Sequence, residues 1–197
     1  MRRFAFAAGL VVVLLGVTPV ASTAADNSCQ ATGTTTCEGP GAADSRDPTT
    51  LIGVKAPSLS GKSLGGGKGT LTLAPMLGKP TAVVFWLNTC PHCIEALPEV
   101  NRLRSTVSPA AQIVTASIDA GLKGPKGYST PAAAAKTMHL RVPTILVSDA
   151  AAKERWRVAG TPTAFIIDSS GVITQVLQGD DDSSLADAIR QALAATQ

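Results

Sequence analysis

From Leu51 onward, short apolar runs alternate with amphipathic stretches, whereas the first fifty residues follow a different pattern. Thr81 to Trp86, "TAVVFW", is a continuous apolar run rich in β-branched residues and predicts a buried central strand. "QIVTASID" (Gln112 to Asp119), "TILVSD" (Thr144 to Asp149), "TAFIID" (Thr163 to Asp168) and "VITQVLQ" (Val172 to Gln178) predict further strands. The last two are separated by "SSG", short enough for a hairpin turn. Short strands are also expected near Ser58 and Leu71, around a glycine-rich turn.

Helices are expected between the strands. The first runs from Pro91 to about Val107, with Pro91 in the first turn, where a missing N–H costs nothing. Pro98 should kink it by removing the bond to the Ile94 carbonyl. Gly121 to Ser129 reads as a loop, Thr130 to Met138 as a short alanine-rich helix, and Ala150 to Val158 as another helix. Ser184 to Ala195 closes the chain. Leu185, Ile189, Ala192 and Leu193 share one face there, and Ser184 with Asp187 predicts a capping box. The resulting order, β-β-β-α-β-α-β-α-β-β-α, implies an α/β fold with a central mixed sheet covered by helices.

The N-terminal fifty residues change the picture. "MRR" followed by "FAFAAGLVVVLLGV" and "TPVASTAA" has the charge, apolar core and small residues of an export signal over residues 1–25. Cleavage after Ala24 or Ala25 is the favoured reading; an uncleaved membrane anchor is the alternative, since Phe4 to Ala25 carries no charge. Either way the domain is expected outside the cytoplasm, in the periplasm or cell envelope, where disulfides persist. Residues 26–50 are polar and rich in threonine and glycine, and predict a flexible extension; residues 51–197 form the domain. Without Arg2 and Arg3, fifteen basic residues face fourteen acidic ones, and no basic run carries interleaved aromatics, which argues against nucleic acid as a partner.

The candidate chemistry lies in "FWLNTCPHCIEALP", Phe85 to Pro98. Cys90 and Cys93 fall where a strand gives way to a helix. Unpaired N–H groups and the helix dipole favour negative charge at that point, so Cys90 would be activated as a thiolate. Cys93, one turn in, is placed to close a disulfide and resolve a mixed disulfide. His92 between them can place positive charge near Cys90, and Pro91 and His92 together are the expected tuners of the thiolate. A zinc site wants four closely spaced ligands. The chain has four cysteines and two histidines, with Cys29 and Cys37 in the extension. A c-type haem site needs a histidine where Ile94 stands. A staple closing so small a loop would constrain the unfolded chain little. No metal or cofactor is therefore expected, and the chemistry rests on two thiols. "GTPTAFIID" is the second marker: a cis Thr161–Pro162 bond would bare the Thr161 backbone beside the cysteines for an incoming peptide. Pro143 in "RVPTILV" and His139 read as structural.

Taken together, "AVVFWLNTCPHCIEALPEVNRL", the inserted β-α segment before "TILVSD", and "VAGTPTAFIIDSSGVI" resemble the thioredoxin superfamily, and in particular exported TlpA/ResA-like thiol-disulfide oxidoreductases. The resemblance covers about Ile52 to Leu193. It implies a thioredoxin-like fold, Cys90 as attacking thiol, Cys93 as resolving thiol, and Trp86, Thr161 and Pro162 as substrate contacts. It also implies exported proteins as partners, a separate redox partner that resets the pair, and a role such as cytochrome c or metal-centre assembly. The central Pro91–His92 dipeptide is similar instead to that of DsbA-type oxidases. Val84 and Ala96 stand where thioredoxins and ResA-like proteins carry buried acids, with Glu95 expected to face elsewhere, and Thr89 replaces the usual tryptophan. The direction of electron flow stays open. So do a copper-binding assembly factor using the same thiols and an interaction module without turnover. A peroxidatic Thr-x-x-Cys setting is absent. Cys29 and Cys37 are expected to pair as a structural disulfide, with a relay to Cys90–Cys93 as the alternative.

Overall fold

The computed structural model describes residues 46–64, 69–74, 78–179 and 184–196. Residues 1–45, with Cys29 and Cys37, the export segment and most of the extension, lie outside the described residues. Seven strands form one mixed sheet: β1 (Ser60–Ser63), β2 (Thr70–Thr72), β3 (Thr81–Trp86), β4 (Gln112–Asp119), β5 (Thr144–Ser148), β6 (Thr163–Ile167) and β7 (Ile173–Gln178). Their order across the sheet is β2-β1-β5-β4-β3-β6-β7. The β3–β4 and β4–β5 pairs are parallel, and every other pair is antiparallel. Three α-helices join them: α1 (Pro91–Val107), α2 (Pro131–Thr137) and α3 (Leu185–Ala195). No helix among the described residues is long and apolar enough to cross a membrane.

The period-two alternation of strand side chains splits the core between the two faces of the sheet. Ala82, Val84 and Trp86 of β3 join Ile113, Ala164 and Ile166 under α1, α2 and α3. Val83 and Phe85 point the other way, with Val114, Ile145, Phe165 and Ile173. All six residues of β3 are buried, which is why the strand reads as an unbroken apolar run. On α3 the expected apolar face holds: Leu185, Ile189, Ala192 and Leu193 are buried.

The structure differs from expectation at several points. The short strand expected near Ser58 spans Ser60–Ser63 and lies between β2 and β5. Pro48–Leu51, whose first three residues composition assigns to the extension, is a 3-10 turn; Asp47 caps it at the Thr49 N–H, and it buries Leu51 in the core. The segment after β5 is not a full α-helix but a wider π-helical turn, Ala151–Arg155. Ala152 and Trp156 both pack onto the sheet there, and Arg157 (φ 53°) ends the turn in the left-handed region. The capping box at Ser184 does not form: the Ser184 hydroxyl donates to Glu99 of α1 at 3.2 Å, and Asp187 pairs with Arg190 at 2.9 Å. The α1 helix, with Pro98 inside it, ends at Val107 as expected.

Candidate active site

The site forms where β3 runs into α1. Cys90 is the N-cap of α1, with extended backbone (φ −86°, ψ 114°), and Pro91 occupies the first turn, as its sequence position predicts. A capping position usually holds an oxygen acceptor; here the acceptor is sulfur. The Cys93 backbone N–H donates to Cys90 Sγ at 3.2 Å, so a group at the helix start that would otherwise lack a partner is satisfied by the sulfur. Across the site, Cys90 Sγ donates to the Thr161 carbonyl at 3.3 Å. Both cysteines are free thiols. Cys90 is half-buried, whereas Cys93 has 0 % of its surface exposed.

These surroundings separate the two sulfurs chemically. Cys90 falls from the ordinary thiol value of 9.0 to about 6. A hydrogen bond from the Cys93 thiol contributes most, the Thr161 side chain and the Cys93 N–H help, and the charge of His92 contributes least; burial works in the opposite direction. Cys93 is pushed strongly upward, first by burial and then by its role as donor to Cys90. At neutral pH Cys90 is therefore largely thiolate while Cys93 keeps its proton. That is the division of labour required of an attacking and a resolving thiol.

Thr161 and Pro162 lie beside the pair, and their peptide bond is cis, whereas Val142–Pro143 is trans. Pro162 is itself buried. Gly179 donates its N–H to the Pro162 carbonyl at 2.9 Å, and a Cβ at Gly179 would stand 2.5 Å from the proline ring, so only glycine fits there. A cavity of about 100 Å³ lined by His92, Thr161, Pro162, Gln178 and Gly179 opens next to the thiols. His92 and Gly179 also line a second cavity of about 250 Å³ that reaches Glu95 and Glu99.

Trp86 requires a correction. It is 0 % exposed and packs in the same apolar cluster as Cys93, so it supports the site from beneath and meets no substrate. Val84, also buried in that cluster, and Ala96, packed against it, leave no carboxylate near Cys93; Glu95 is exposed. His139 closes α2 in the left-handed region (φ 51°), a structural position. Among the described residues no group of three His, Cys, Asp or Glu side chains is placed to hold a metal ion.

Two asparagines matter that sequence reading did not single out. Asn88, 2 % exposed, donates to the Leu122 and Tyr128 carbonyls at 3.3 and 2.8 Å, tying the loop after β4 to the turn that carries Cys90. Gly124 in that loop has no room for a side chain, since a Cβ would lie 2.8 Å from the Asn88 carbonyl. Asn101 on α1 accepts from the Arg141 and Val142 N–H groups and donates to the His139 carbonyl. The buried polar residue directly before "TCPHC" was the available signal for Asn88; its partners, more than thirty residues away, left none.

An α/β sheet with a thiolate-capped helix start, a buried second thiol and a neighbouring Thr161 backbone defines a thioredoxin-like thiol-disulfide oxidoreductase. The chain belongs to the AhpC/TSA family, whose model matches residues 52–176. It is similar to the thioredoxin-like protein YneN of Bacillus subtilis, with 29% identity over 127 residues, 64% of this chain and 71% of that protein. Among solved structures, a putative thiol:disulfide interchange protein DsbE from Chlorobium tepidum shares the fold with a TM-score of 0.59 at 22% identity, over 74% of this chain and 96% of that one. A secreted disulfide oxidoreductase of Mycobacterium tuberculosis, homologous to E. coli DsbE, gives a TM-score of 0.55 at 17% identity, over 70% and 95% of the two chains.

Proposed function

We propose that this protein exchanges disulfides with exported proteins, Cys90 attacking and Cys93 resolving. The observation that carries the proposal is a half-buried Cys90 sulfur at a helix start, 3.2 Å from the Cys93 N–H, with the Cys93 side chain wholly buried one turn on. In the reducing direction the Cys90 thiolate attacks one sulfur of a partner disulfide. The Cys90–partner bond forms as the partner S–S bond breaks, and the second partner sulfur leaves as a thiolate. Cys93 gives up its proton to that leaving thiolate, because no carboxylate stands at Val84 or Ala96 to take it, and then attacks Cys90 Sγ. The remaining partner thiolate leaves and picks up a proton from solvent. The partner has gained two electrons and two protons, and the protein holds a Cys90–Cys93 disulfide. The same steps in reverse oxidise a partner dithiol.

A Cys90 pKa of about 6 bears on the direction. Thioredoxin pairs a thiol pKa of ~7 with about −270 mV, and DsbA ~3.5 with about −120 mV. A value of about 6 lies between the two, and a lower thiol pKa stabilises the reduced form, so the Cys90 setting does not by itself choose between reductase and oxidase. Export is supported by the signal-like residues 1–25 and by the secreted mycobacterial relative. The test is trapping with a disulfide-bonded peptide. Cys93→Ser should accumulate a mixed disulfide on Cys90, and Cys90→Ser should form none. Accumulation through Cys93 in the Cys90→Ser variant would overturn the assignment of roles.

A further inference from the structure

A second cavity, of about 380 Å³, is lined by Arg46, Lys153, Arg157, Val158 and Ala159. Every charged residue among these is a cation, and the floor is apolar: Val158 is buried and Ala159 is exposed. Arg157 is held in place by its left-handed backbone (φ 53°) and by its guanidinium donating to the Thr50 hydroxyl. A guanidinium has five N–H donors, so one bond to Thr50 leaves a fork for an oxyanion. Lys153 pairs with Asp149 at 2.8 Å, but its side chain is 65 % exposed and its ammonium has two further donors. The cavity plays no part in the steps assigned to Cys90 and Cys93.

Its position gives it a use. Val158 and Ala159 run directly into Gly160, Thr161 and Pro162, which line the cavity beside the thiols. Val158 and Thr161 are three positions apart, at most about 10 Å of extended chain. A partner segment lying along the Thr161 backbone, with its cysteine at Cys90, would carry a side chain two or three positions from that cysteine over the basic cavity.

We propose that the cavity lined by Arg46, Lys153 and Arg157 is a specificity subsite for an acidic side chain of the exchange partner, two or three residues from the partner's reactive cysteine. This rests on the exchange reading given above. The ligand chemistry is a single compact oxyanion, supplied by the partner's aspartate or glutamate.

The experiment uses disulfide-bonded peptides identical except for Glu, Gln or Lys at the second and third positions from the cysteine. Rates of reduction by the reduced protein should favour the Glu peptides over the Gln peptides about five- to tenfold at low salt, with Lys peptides slowest. The preference should shrink as the screening length falls towards about 8 Å at physiological ionic strength. In Lys153→Gln/Arg157→Asn, where asparagine tolerates the left-handed backbone, the Glu and Gln rates should converge while the Gln rate stays unchanged. Arg157→Lys, which keeps the charge, should retain most of the preference. Binding of the same peptides with serine in place of cysteine, followed by fluorescence polarisation, reads the cavity apart from exchange. If no peptide is reduced but Glu peptides still bind better than Gln peptides, the exchange reading falls and the acidic subsite stands. Equal binding of Glu and Gln peptides, or a preference that survives Lys153→Gln/Arg157→Asn, would overturn the subsite. Tighter binding of inorganic phosphate than of the Glu peptide would also overturn it, by making a free anion the occupant.

Discussion

On one face of the sheet Phe85, Trp156 and Phe165 close on one another, with ring centroids 5.0 to 5.7 Å apart and tilted or edge-on geometry. On the other face Val84 and Trp86 lie beneath α1 in the cluster that buries Cys93. Both faces use the same strand, β3, and side chains of similar size. The aromatic face gathers its bulk for packing alone, with geometries that add to simple area burial. On the helical face the same kind of packing does chemical work. It removes Cys93 from water and raises its pKa, and so leaves Cys90 as the sulfur that ionises first. Burial acts as a stabiliser on one side and as a means of distinguishing two identical groups on the other.

The comparison can be broken by treating the two faces separately. Cys90→Ser should abolish exchange, a loss of at least about a thousandfold in rate, since the remaining thiol is buried and protonated; stopped-flow reduction of a disulfide peptide reads this. Its midpoint in urea should move little. Trp156→Ala on the opposite face should do the reverse, costing about 3–5 kcal/mol in chemical denaturation while the pH dependence of Cys90 alkylation in the folded protein stays put. A large shift in that pH dependence would show that the faces are not independent.

Smaller effects sharpen the picture. Asn88→Ala removes two hydrogen bonds and leaves the Leu122 and Tyr128 carbonyls without their donor, which should cost about 1–3 kcal/mol and raise amide exchange in the loop after β4. Thr161→Val keeps the side-chain shape and the carbonyl but loses the hydroxyl that favours the thiolate, so the Cys90 pKa should rise. His92→Ala should raise it by less, because the histidine charge is the weakest influence on Cys90. An order reversed between these two would place His92, not Thr161, at the centre of the tuning.

What could be read from sequence follows the same division. The β3, β4 and β6 strands were legible because burial on both faces produces continuous apolar runs. The placement of Cys90 and Cys93 was legible because it depends on a local transition from strand to helix, and the cis Thr161–Pro162 bond because it follows at a telling distance. Contacts between remote residues were not legible. Ser184 abandons its own helix for Glu99, 85 positions away, and Asn88 reaches across 34 and 40 positions. Trp86 was placed in a buried strand yet read as a substrate contact, because an aromatic at a strand end reads equally as floor or as surface. The π-helical turn after β5 depends on Trp156 meeting Phe85 and Phe165, a requirement that no local propensity encodes.

The central claim is that the setting of the two sulfurs, rather than their spacing alone, makes Cys90 the nucleophile. Alkylation of the reduced protein with iodoacetamide, followed across pH with the modified residue identified by mass spectrometry, tests it directly. Thiolate reactivity is lost as pH falls through the folded pKa, so the rate should rise with pH to a plateau with a midpoint near 6, all of it on Cys90. A midpoint near the ordinary thiol value of 9.0, or modification of Cys93 first, would contradict the account.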